Sequence, residues 1–323
     1  MNLITFADFF CGIGGIRLGF EKASERFKCV YSNDIDEKAL ITYRHFFNFH
    51  NCDNVVQKSI IDIDCKDIPE FDILVGGFPC VSFSIAGNMK GFEDERGQLF
   101  FELIRILREK KPKAFLFENV KNLKTHLKGE TFKIIKKCIM KEGYFFKAKV
   151  MNTTEYGNLP QNRERIYLVG FRDKRTAEKF HFPKEIPLTE TVYSCLDTND
   201  EKVPDKYYYT ENSAIYEKLK EGVVEHIRTN KVYQYRRTHV RENKSGVCMT
   251  LTANAGMGGH NVPIILDDFG IRKITPKEAF NLQGFTNVSF PNISDSCLYK
   301  QIGNSVSVPV IKRIAENIEK VLN

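Results

Sequence analysis

Short apolar segments alternate with segments of helical periodicity up to about residue 180. The apolar segments are short, rich in β-branched or aromatic residues and bounded by polar residues or glycine, which is typical of buried strands. Between them, apolar residues recur at helical spacing, as around Leu103 and Ile135. Strands that alternate with helices predict a mostly parallel sheet covered by helices, and therefore an α/β fold. The predicted strands are 3–10, 27–32, 72–77, 114–118 and 165–171.

The regular alternation ends near Phe182. Beyond it, prolines, a run of tyrosines and many polar residues indicate a second, more irregular domain. Residues 308–322 return to a single amphipathic helix, which would need the surface of the first domain to bury it. We therefore predict one domain of residues 1–184 plus 296–323 and a smaller domain of residues 185–295. With 323 residues, 42% of them apolar, the chain is long enough for both.

Charge and cysteine content narrow the possible partners and compartment. The formal net charge of +7 and the pI near 8.8 favour a polyanionic partner. The nine cysteines form no C-x-x-C pair and no cluster with histidine at metal spacing, so reduced thiols are predicted rather than disulfides or a metal site. The sequence contains no signal peptide and no apolar run long enough to span a bilayer. We expect a monomeric cytoplasmic protein without a membrane partner.

A glycine-rich turn follows the first predicted strand. The segment Asp8-Phe9-Phe10-Cys11-Gly12-Ile13-Gly14-Gly15 leads from strand to helix, and its glycines let a ligand approach the backbone and the helix N-terminus. A nicotinamide-dependent dehydrogenase is one interpretation, but the dinucleotide fingerprint needs a third glycine where Arg17 stands. Asp34 ends the second strand about 20 residues later, where an acid can hold ribose hydroxyls. A nucleoside without a pyrophosphate fits better and points to S-adenosylmethionine.

Two reactive side chains emerge where predicted strands end. Cys80 follows the third strand, directly after Pro79, and Glu118 ends the fourth strand. Because ligands of open α/β sheets bind at the carboxyl ends of the strands, we expect the thiol and the carboxyl group at one edge of the sheet. A buried structural thiol is the usual interpretation of a single cysteine. A nucleophile and an acid at the same edge instead indicate covalent catalysis.

The order of these motifs resembles that of bacterial cytosine-C5 DNA methyltransferases of the restriction-modification type. The resemblance covers nearly the whole chain outside roughly residues 185 to 245, and its motifs are 8–15, 79–97, 118–120, 161–165, 272–285 and 301–306. It implies a Rossmann-like S-adenosylmethionine-dependent methyltransferase domain with a smaller, irregular target-recognition domain. It also implies transfer of a methyl group from S-adenosylmethionine to C5 of a cytosine that is flipped out of double-stranded DNA. A restriction endonuclease that acts on the same site, without a stable complex, would be its partner in a prokaryotic cell.

The resemblance assigns roles to individual residues. Cys80 would add to C6 of the cytosine, and Glu118 would bind N3 and the 4-amino group. Arg165 would reach O2 and Arg163 the neighbourhood of Cys80 and Glu118, although an ordinary surface pair is the alternative for two arginines. The predicted cofactor contacts are Phe10, Cys11, Gly12, Ile13, Gly14, Gly15, Asp34, Ile35, Ser59, Ile60, Pro79, Leu99, Asn304, Ser305 and Val306.

Three positions depart from the usual pattern of this family. Ile35 replaces a frequent tryptophan, so that aliphatic packing would replace stacking on the adenine. Ser59 stands where relatives often carry an aspartate near the adenine amino group, and Asp62 could substitute only with a shifted backbone. Val81 follows the cysteine where glutamine is usual, which affects a polar contact rather than the nucleophile.

DNA contacts are expected in two regions. Residues 81–98 match the family's loop that closes over DNA, and residues 226–262 form the most irregular part of the chain. Residues 226–245 contain six basic residues and the single acid Glu242, a pattern that otherwise marks a solvated face. The predicted DNA contacts are Ser82, Ser84, Lys90, Arg96, Tyr235, Arg236, Arg237, Arg241, Thr250, Thr252, Asn254 and Gly256.

Two other functions stay open on the sequence. An enzyme of the same chemistry could act on tRNA, but the long separate recognition region argues against an RNA substrate. A non-catalytic DNA-binding protein could keep the fold, but Cys80, Glu118 and Arg165 are all present. A DNA methyltransferase is therefore the leading prediction.

Overall fold

The computed structural model describes residues 2–47, 54–79, 95–197, 201–256 and 261–322. Four residues with predicted roles in catalysis or DNA binding lie outside these ranges: Cys80, Ser82, Ser84 and Lys90. Val81 also lies outside them. Arg96 is part of a helix whose side chains are described from Leu99 onward.

The first part of the chain forms a seven-stranded sheet within these ranges. Its strands are β1 (Ile4–Phe9), β2 (Phe27–Asp34), β3 (Val55–Gln57), β4 (Ile73–Gly77), β5 (Ala114–Val120), β6 (Phe145–Asn152) and β7 (Glu164–Phe171). The strand order is β3-β2-β1-β4-β5-β7-β6. β1 to β5 pair in parallel, whereas β7 runs antiparallel to β5. The predicted α/β fold is confirmed, and β3 and β6 are strands that the sequence pattern did not indicate.

Helices follow the strands and bury their apolar sides. They are α1 (Gly15–Ala23), α2 (Glu37–Phe46), α3 (Glu95–Lys110), α4 (Glu130–Lys141), α5 (Thr153–Tyr156), α6 (Lys174–Lys179), α7 (Tyr216–Gly222), α8 (Pro276–Asn281), α9 (Asp295–Asn304) and α10 (Val308–Leu322). Leu103 and Leu107 of α3 and Ile135 and Ile139 of α4 belong to one core with residues of the sheet. Within the described ranges, no helix combines the length and the apolar character that crossing a membrane requires.

The chain divides into two compact units. Unit 1 comprises Met1–Met151, Glu164–Lys184 and Ile311–Asn323, and unit 2 comprises Asn152–Arg163 and Glu185–Val310. The division after residue 184 coincides with the predicted boundary. Residues 152–163 and 296–310, which we had placed in the first domain, belong to unit 2.

Contacts of α9 explain the second difference. The side-chain amide of Gln283 donates a hydrogen bond to the Ile302 carbonyl at 2.8 Å. A Cβ at Gly303 would lie 2.1 Å from the Thr252 carbonyl carbon, so that only glycine allows this close approach. These partners lie in unit 2, and α9 therefore belongs there rather than with the sheet of unit 1.

Unit 2 contains a smaller antiparallel sheet. Its strands are β8 (Tyr233–Arg236), β9 (His239–Glu242), β10 (Ile264–Asp267) and β11 (Gly270–Lys273), in the order β11-β10-β8-β9. Tyr233, Ile264 and Ile271 pack with Leu219 of α7 in a small core of their own. The predicted DNA contacts at 235–241 therefore lie on a hairpin that is stabilised by this small core.

Candidate active site

The turn between β1 and α1 has a backbone that leaves room for a ligand. Phe10, Gly12 and Gly14 have φ angles of 56°, 52° and 80°, and a Cβ at Gly14 would lie 2.2 Å from the Phe47 ring. Such angles strain a residue that has a Cβ, and Phe10 is such a residue. Strain of this kind is concentrated at binding sites. α1 begins at this turn with no side-chain cap and no acid in its first turn. Its first backbone N–H groups therefore suit an anionic group of a ligand.

Asp34 fixes this turn from the end of β2. Its Oδ2 accepts a hydrogen bond from the Gly12 N–H at 2.8 Å, and its Oδ1 accepts one from the Asp36 N–H at 2.8 Å. Burial raises the pKa of the Asp34 carboxyl, and the two N–H groups oppose that shift. The Cys11 N–H also donates to the Asn33 carbonyl at 3.0 Å. The residue predicted to hold ribose hydroxyls thus also shapes the glycine-rich turn.

Apolar surface lies exposed at the neighbouring strand ends. Ile35, directly after β2, is 69% exposed, and Ile61, which follows β3, is 46% exposed. β2 and β3 pair in parallel through Asp34 and Gln57, so both isoleucines follow the carboxyl ends of adjacent strands. The Ile35 side chain is therefore exposed enough to pack against an adenine, as the sequence predicts. Ile61 was not predicted, because an exposed isoleucine cannot be told from a buried one by sequence.

Ser59 and Ile60 support the backbone on this side of the site, and neither adds exposed apolar surface to it. The Ser59 hydroxyl accepts a hydrogen bond from the Ile61 N–H at 3.4 Å and caps the short helix Ile60–Asp62. The Ile60 side chain is buried in the core of unit 1. Leu99 of α3 packs partly buried against the same core, and Pro79 is half-buried.

Arg105 of α3 holds the segment after β3 in place. Its Nη2 donates to the carbonyls of Ile60 at 3.2 Å and Ile63 at 3.0 Å, and its Nη1 lies 2.9 Å from the Cys65 Sγ. Its Nε pairs with Glu102 at 2.6 Å. An arginine on a helix surface carries no sequence signal of such a role, and we did not predict it.

Asp8 of β1 is a fully buried carboxylic acid beneath the glycine-rich turn. In the described part of the chain, neither of its oxygens meets a hydrogen-bond donor at normal geometry. Burial raises the pKa of the Asp8 carboxyl well above its usual range, although the positive charge of Arg17 opposes the shift. Arg17 itself is held by Glu21 at 2.7 Å and by the Tyr43 hydroxyl at 3.0 Å.

Glu118 and Arg165 form an ion pair at the ends of β5 and β7. The Arg165 Nε lies 3.1 Å from the Glu118 Oε1, and both side chains are largely buried. Glu118 stands opposite Gly77 of β4 and Tyr167 of β7, so Arg165 is its diagonal neighbour on the same face. The structure thus brings together two of the predicted catalytic residues. The opposing β4 ends three residues before Cys80 in the sequence.

Asn119 fixes the backbone that leads to Cys80. Its side-chain amide donates to the Phe78 carbonyl at 2.9 Å, and its Oδ1 accepts from the Val120 N–H at 2.8 Å. The Phe78 ring packs against Phe100 and Phe117, at centroid distances of 5.3 and 6.3 Å. We did not predict a role for Asn119. The sequence feature that could have predicted this role is the position of Asn119 directly after Glu118, at the end of a strand. A side-chain amide at such a position can bind the backbone of a neighbouring segment.

Arg163 lies in unit 2, where its guanidinium binds backbone carbonyls. It donates to Leu251 at 2.7 Å, to Gly303 at 3.1 Å and to Ser305. The side chain is almost completely buried. These bonds join the loop of Thr250 and Thr252 to the predicted cofactor residues 304–306, so Arg163 positions both segments within unit 2. Among 304–306, Asn304 is exposed, Ser305 half-buried and Val306 buried.

The hairpin of β8 and β9 presents the predicted recognition arginines. Arg236 pairs with His239 at the end of the ladder, and Arg237 begins the connecting turn with a φ of 55°. Arg237 and Arg241 are exposed, whereas Tyr235 and Arg236 are half-buried. Arg236 therefore ends a strand, whereas Arg237 lies in the turn.

Other basic residues of the stretch 226–245 have acidic partners. Arg228 pairs with Asp268 at 2.5 Å and Lys231 with Glu242 at 2.6 Å. Asp268 lies outside the stretch, which is why the sequence did not reveal this pairing. The positive charge that stays exposed is therefore concentrated at the hairpin, at Arg237, Arg241 and Lys244.

The remaining recognition candidates lie on the loop before β10. The Thr250 hydroxyl donates to the Asn162 carbonyl at 2.5 Å, and Asn254 is exposed. A Cβ at Gly256 would overlap the Tyr299 ring, which explains the glycine there by packing. Of these residues, Asn254 is the one with an exposed polar side chain.

Comparisons with known proteins identify the family. The family model of the C-5 cytosine-specific DNA methylases matches residues 4–320. The chain is 48% identical over 321 residues to the Type II methyltransferase M.Bsp6I of Bacillus sp. (strain RFL6), with 98% of this chain and 99% of that protein covered. It is 43% identical to the Type II methyltransferase M1.ScrFI of Lactococcus lactis subsp. cremoris, over 98% of this chain and 78% of that protein.

A solved structure shows the same fold. A DNMT2 mutant of Spodoptera frugiperda aligns with a TM-score of 0.76 over 98% of this chain and 99% of that chain, at 19% sequence identity. The family match and the close bacterial relatives together support one conclusion. The chain belongs to the C-5 cytosine-specific DNA methylase family and is an S-adenosylmethionine-dependent DNA (cytosine-5-)-methyltransferase.

Proposed function

We propose that Cys80, Glu118 and Arg165 carry out this methylation on one cytosine of a specific duplex sequence. The observation that carries the assignment is the Glu118–Arg165 pair at the strand end that faces Gly77, three residues before Cys80. The bond from Asn119 to Phe78 supports it, because it fixes the backbone that leads to the thiol.

The chemistry requires these residue types. Cytosine C5 is too weak a nucleophile to take a methyl group, so a Cys80 thiolate adds to C6 and the displaced electron pair moves toward N3. Glu118 stabilises the charge that develops at N3 and the 4-amino group, and Arg165 binds O2 and orients Glu118. The carbon at C5 thereby becomes nucleophilic. After C5 has taken the methyl group, a base removes the C5 proton and the Cys80 thiolate departs from C6, which restores the aromatic ring.

S-adenosylmethionine fits the residues of unit 1. When bound, it supplies an electrophilic methyl group on its sulfonium sulfur. The turn from Phe10 to Gly15 would hold its amino-acid part at the open N-terminus of α1, and Asp34 its ribose. The exposed Ile35 would cover the adenine, supported by Ile60 and the Ser59 cap. Cys11, Ile13, Pro79 and Leu99 complete the proposed set in unit 1. Asn304, Ser305 and Val306 belong to unit 2 and are proposed as cofactor contacts on the family resemblance alone.

Unit 2 is the proposed recognition domain. The exposed arginines at the β8–β9 hairpin and the exposed Asn254 support a DNA-facing role for residues 226–262. Ser82, Ser84, Lys90 and Arg96 are proposed to contact DNA as well, on the family resemblance alone. Because phosphate contacts position a protein and base contacts select the sequence, residues of both kinds are expected here.

The relatives support a proposal for the cellular setting. Since those relatives are named Type II methyltransferases, a restriction endonuclease that cuts the same sequence is the proposed counterpart, without a stable complex. The substrate of such a pair would be the DNA of a prokaryotic cell, which supports a proposed location in the cytoplasm. We propose that it acts as a monomer.

The test combines one variant with a readout of the product. The wild-type gene, expressed in a methylation-deficient bacterium, should give 5-methylcytosine at one sequence in bisulfite sequencing. Cys80→Ser should abolish the signal while DNA and cofactor binding persist, because an alkoxide is far harder to form than a thiolate. Cys138→Ser, at a half-buried thiol of α4, is the matched control and should methylate normally.

Two results would contradict the assignment. Methylation by Cys80→Ser at the wild-type rate would remove the covalent mechanism. Methylated tRNA together with unmodified DNA in the wild-type cells would assign the activity to RNA.

A further inference from the structure

A strongly positive stretch of unit 1 is not used by the site described above. Residues 121–141 contain seven lysines and a single acid, Glu130. The stretch therefore carries a formal charge of +6, when the whole chain carries +7. The lysines are Lys121, Lys124, Lys128, Lys133, Lys136, Lys137 and Lys141.

The structure places these lysines on the surface. α4 buries Ile135 and Ile139 and exposes Met140 with four lysines. At about 100° per residue, these four lie within about 140° of one another around the helix. The lysines at 121, 124 and 128 are exposed on the segment that precedes α4. We call the exposed residues of 121–141 the lysine surface.

Few of these charges are neutralised. Lys121 pairs with Glu164, and Lys133 pairs with Glu130 at 2.7 Å. Lys133, Lys137 and Lys141 follow one another at a spacing of four residues, where like charges repel on a helix. A bound polyanion would remove that repulsion. Within the described ranges, no ion pair is formed by Lys124, Lys128, Lys136, Lys137 or Lys141.

The position of the lysine surface points to the substrate DNA. It begins directly after β5, the strand that carries Glu118, and so starts at the edge of the sheet where the cytosine is proposed to bind. The 12 residues of α4 span about 18 Å, the length of about five base pairs. Lysines bind phosphate as point charges without base selection, which suits DNA outside the recognised sequence.

We propose that the lysine surface binds the phosphate backbone of duplex DNA that flanks the target sequence. The inference rests on the proposed DNA substrate and adds a second, sequence-independent contact area to it. Affinity should then depend on duplex length, since a short duplex ends before it reaches the lysines of α4.

The experiment compares two triple variants of the full chain. Lys136→Gln/Lys137→Gln/Lys141→Gln removes three charges from the lysine surface. The matched control, Lys28→Gln/Lys111→Gln/Lys179→Gln, removes three exposed charges of unit 1 elsewhere. Each protein is titrated over a range of salt concentrations with duplexes of about one and about four helical turns, centred on the methylated sequence.

The lysine-surface variant should bind the long duplex at least about tenfold more weakly than the wild type, with a salt slope smaller by about two to three. Its affinity for the short duplex and its kcat should equal those of the wild type, and the control should match the wild type throughout. Unchanged affinity and slope on the long duplex would overturn the proposal. An equal loss on both duplexes would also overturn it, because the lysines would then act at the target site itself.

Two further outcomes separate this proposal from others. Lysine-dependent binding to phosphatidylserine vesicles, with DNA affinity unchanged, would assign the surface to a membrane and contradict the inference. Failure of the wild type to methylate any duplex would refute the proposed function instead. Both triple variants should unfold at the same temperature as the wild type. That result would exclude loss of the fold as the cause of any change in binding.

Discussion

Glu118 is the residue whose environment most constrains the proposed chemistry. Its carboxyl group is largely buried, paired with Arg165 and close to Gly77, where a Cβ would lie 3.4 Å from the Glu118 Oε2. A buried charge without its partner is strongly unfavourable, so the pair acts as a unit. The pair therefore fixes the position of the Glu118 carboxyl group at the end of β5.

Glu118→Gln should slow methylation by at least about 100-fold, because an amide cannot exchange a proton with N3. Single-turnover rates on the methylated duplex measure this step. The matched control is Glu164→Gln, which changes a half-exposed carboxyl group of the same sheet that pairs with Lys121. Equal rates in the two variants would show that Glu118 has a structural role alone.

Because Asp8 is buried, it should lower the free energy of unfolding as pH rises. Well below about pH 4, the ordinary pKa of an aspartic acid, the carboxyl group is protonated in the folded and the unfolded chain, and pH has no effect on stability through it. At higher pH the unfolded chain ionises Asp8 first, because burial raises the pKa in the folded protein. The free energy of unfolding is therefore lowered by Asp8 as pH rises, by on the order of 1 kcal/mol per pH unit at most.

Asp8→Asn removes this ionisation while keeping the shape of the side chain. The variant should gain stability relative to the wild type as pH rises above about 4, the ordinary pKa of an aspartic acid, and the gain should grow until Asp8 also ionises in the folded protein. Urea unfolding at several pH values measures it, with the exposed Asp62→Asn as the control. A difference that is the same at every pH would show that Asp8 is ionised in the folded protein.

At the residue scale, the sequence predicted where side chains lie in the fold better than what they touch. The glycine-rich turn, Asp34 and Glu118 could be predicted because strand ends and glycines mark them. Arg163 and Arg165 alternate along the chain, yet one binds carbonyls of unit 2 and the other binds Glu118. Only the fold decides between such partners.

At the element scale, α3 supports the segment between β3 and β4. Arg105 binds the carbonyls of Ile60 and Ile63, and the Lys110 Nζ donates to the Ile68 carbonyl at 2.8 Å. The apolar side chains of the same segment pack on α3 within the core. The adenine side of the proposed site is therefore held by a helix that the cofactor itself is proposed to touch only at Leu99.

Arg105→Met should raise the Kd for S-adenosylmethionine about tenfold, because the loss of charged hydrogen bonds frees the segment. At saturating cofactor, kcat should stay within about twofold of the wild type, and Arg105→Lys should restore part of the affinity. Calorimetric titration and initial rates give the two quantities. Arg108→Met, at an exposed arginine of the same helix, is the control.

A lower kcat with an unchanged Kd would contradict this positioning role. An equal effect of Arg108→Met would contradict it as well, since the effect would then belong to the helix as a whole.

The elements that the sequence missed share a physical reason. β3 has three residues and no buried position, and β6 mixes lysines with half-exposed apolar residues. Such strands lack the apolar signal of buried ones, because each lies at an edge of the sheet. The antiparallel direction of β7 was equally hidden, since pairing direction leaves no mark on a buried apolar run.

At the scale of the whole molecule, positive charge is concentrated in two stretches. Residues 121–141 of unit 1 carry +6 and residues 226–245 of unit 2 carry +5, so the remaining residues carry −4 against the total of +7. Each unit thus has its own region suited to phosphate. The total charge of +7 does not show this uneven distribution, because the acidic remainder of the chain offsets part of the two basic stretches. The distribution appears only when the charge is counted segment by segment.

The helix α10 has a consequence for how the protein is made. Its residues from 311 onward belong to unit 1, where Gly19 of α1 leaves room for Ile311 and the Ser24 hydroxyl binds Glu319 at 2.7 Å. A ribosome synthesises them only after all of unit 2, so for most of its synthesis a nascent chain has α1 without the helix that packs against it. We expect a chain that stalls before residue 311 to expose the face of α1 around Gly19 to chaperones and proteases, and to become active only once translation has passed this point.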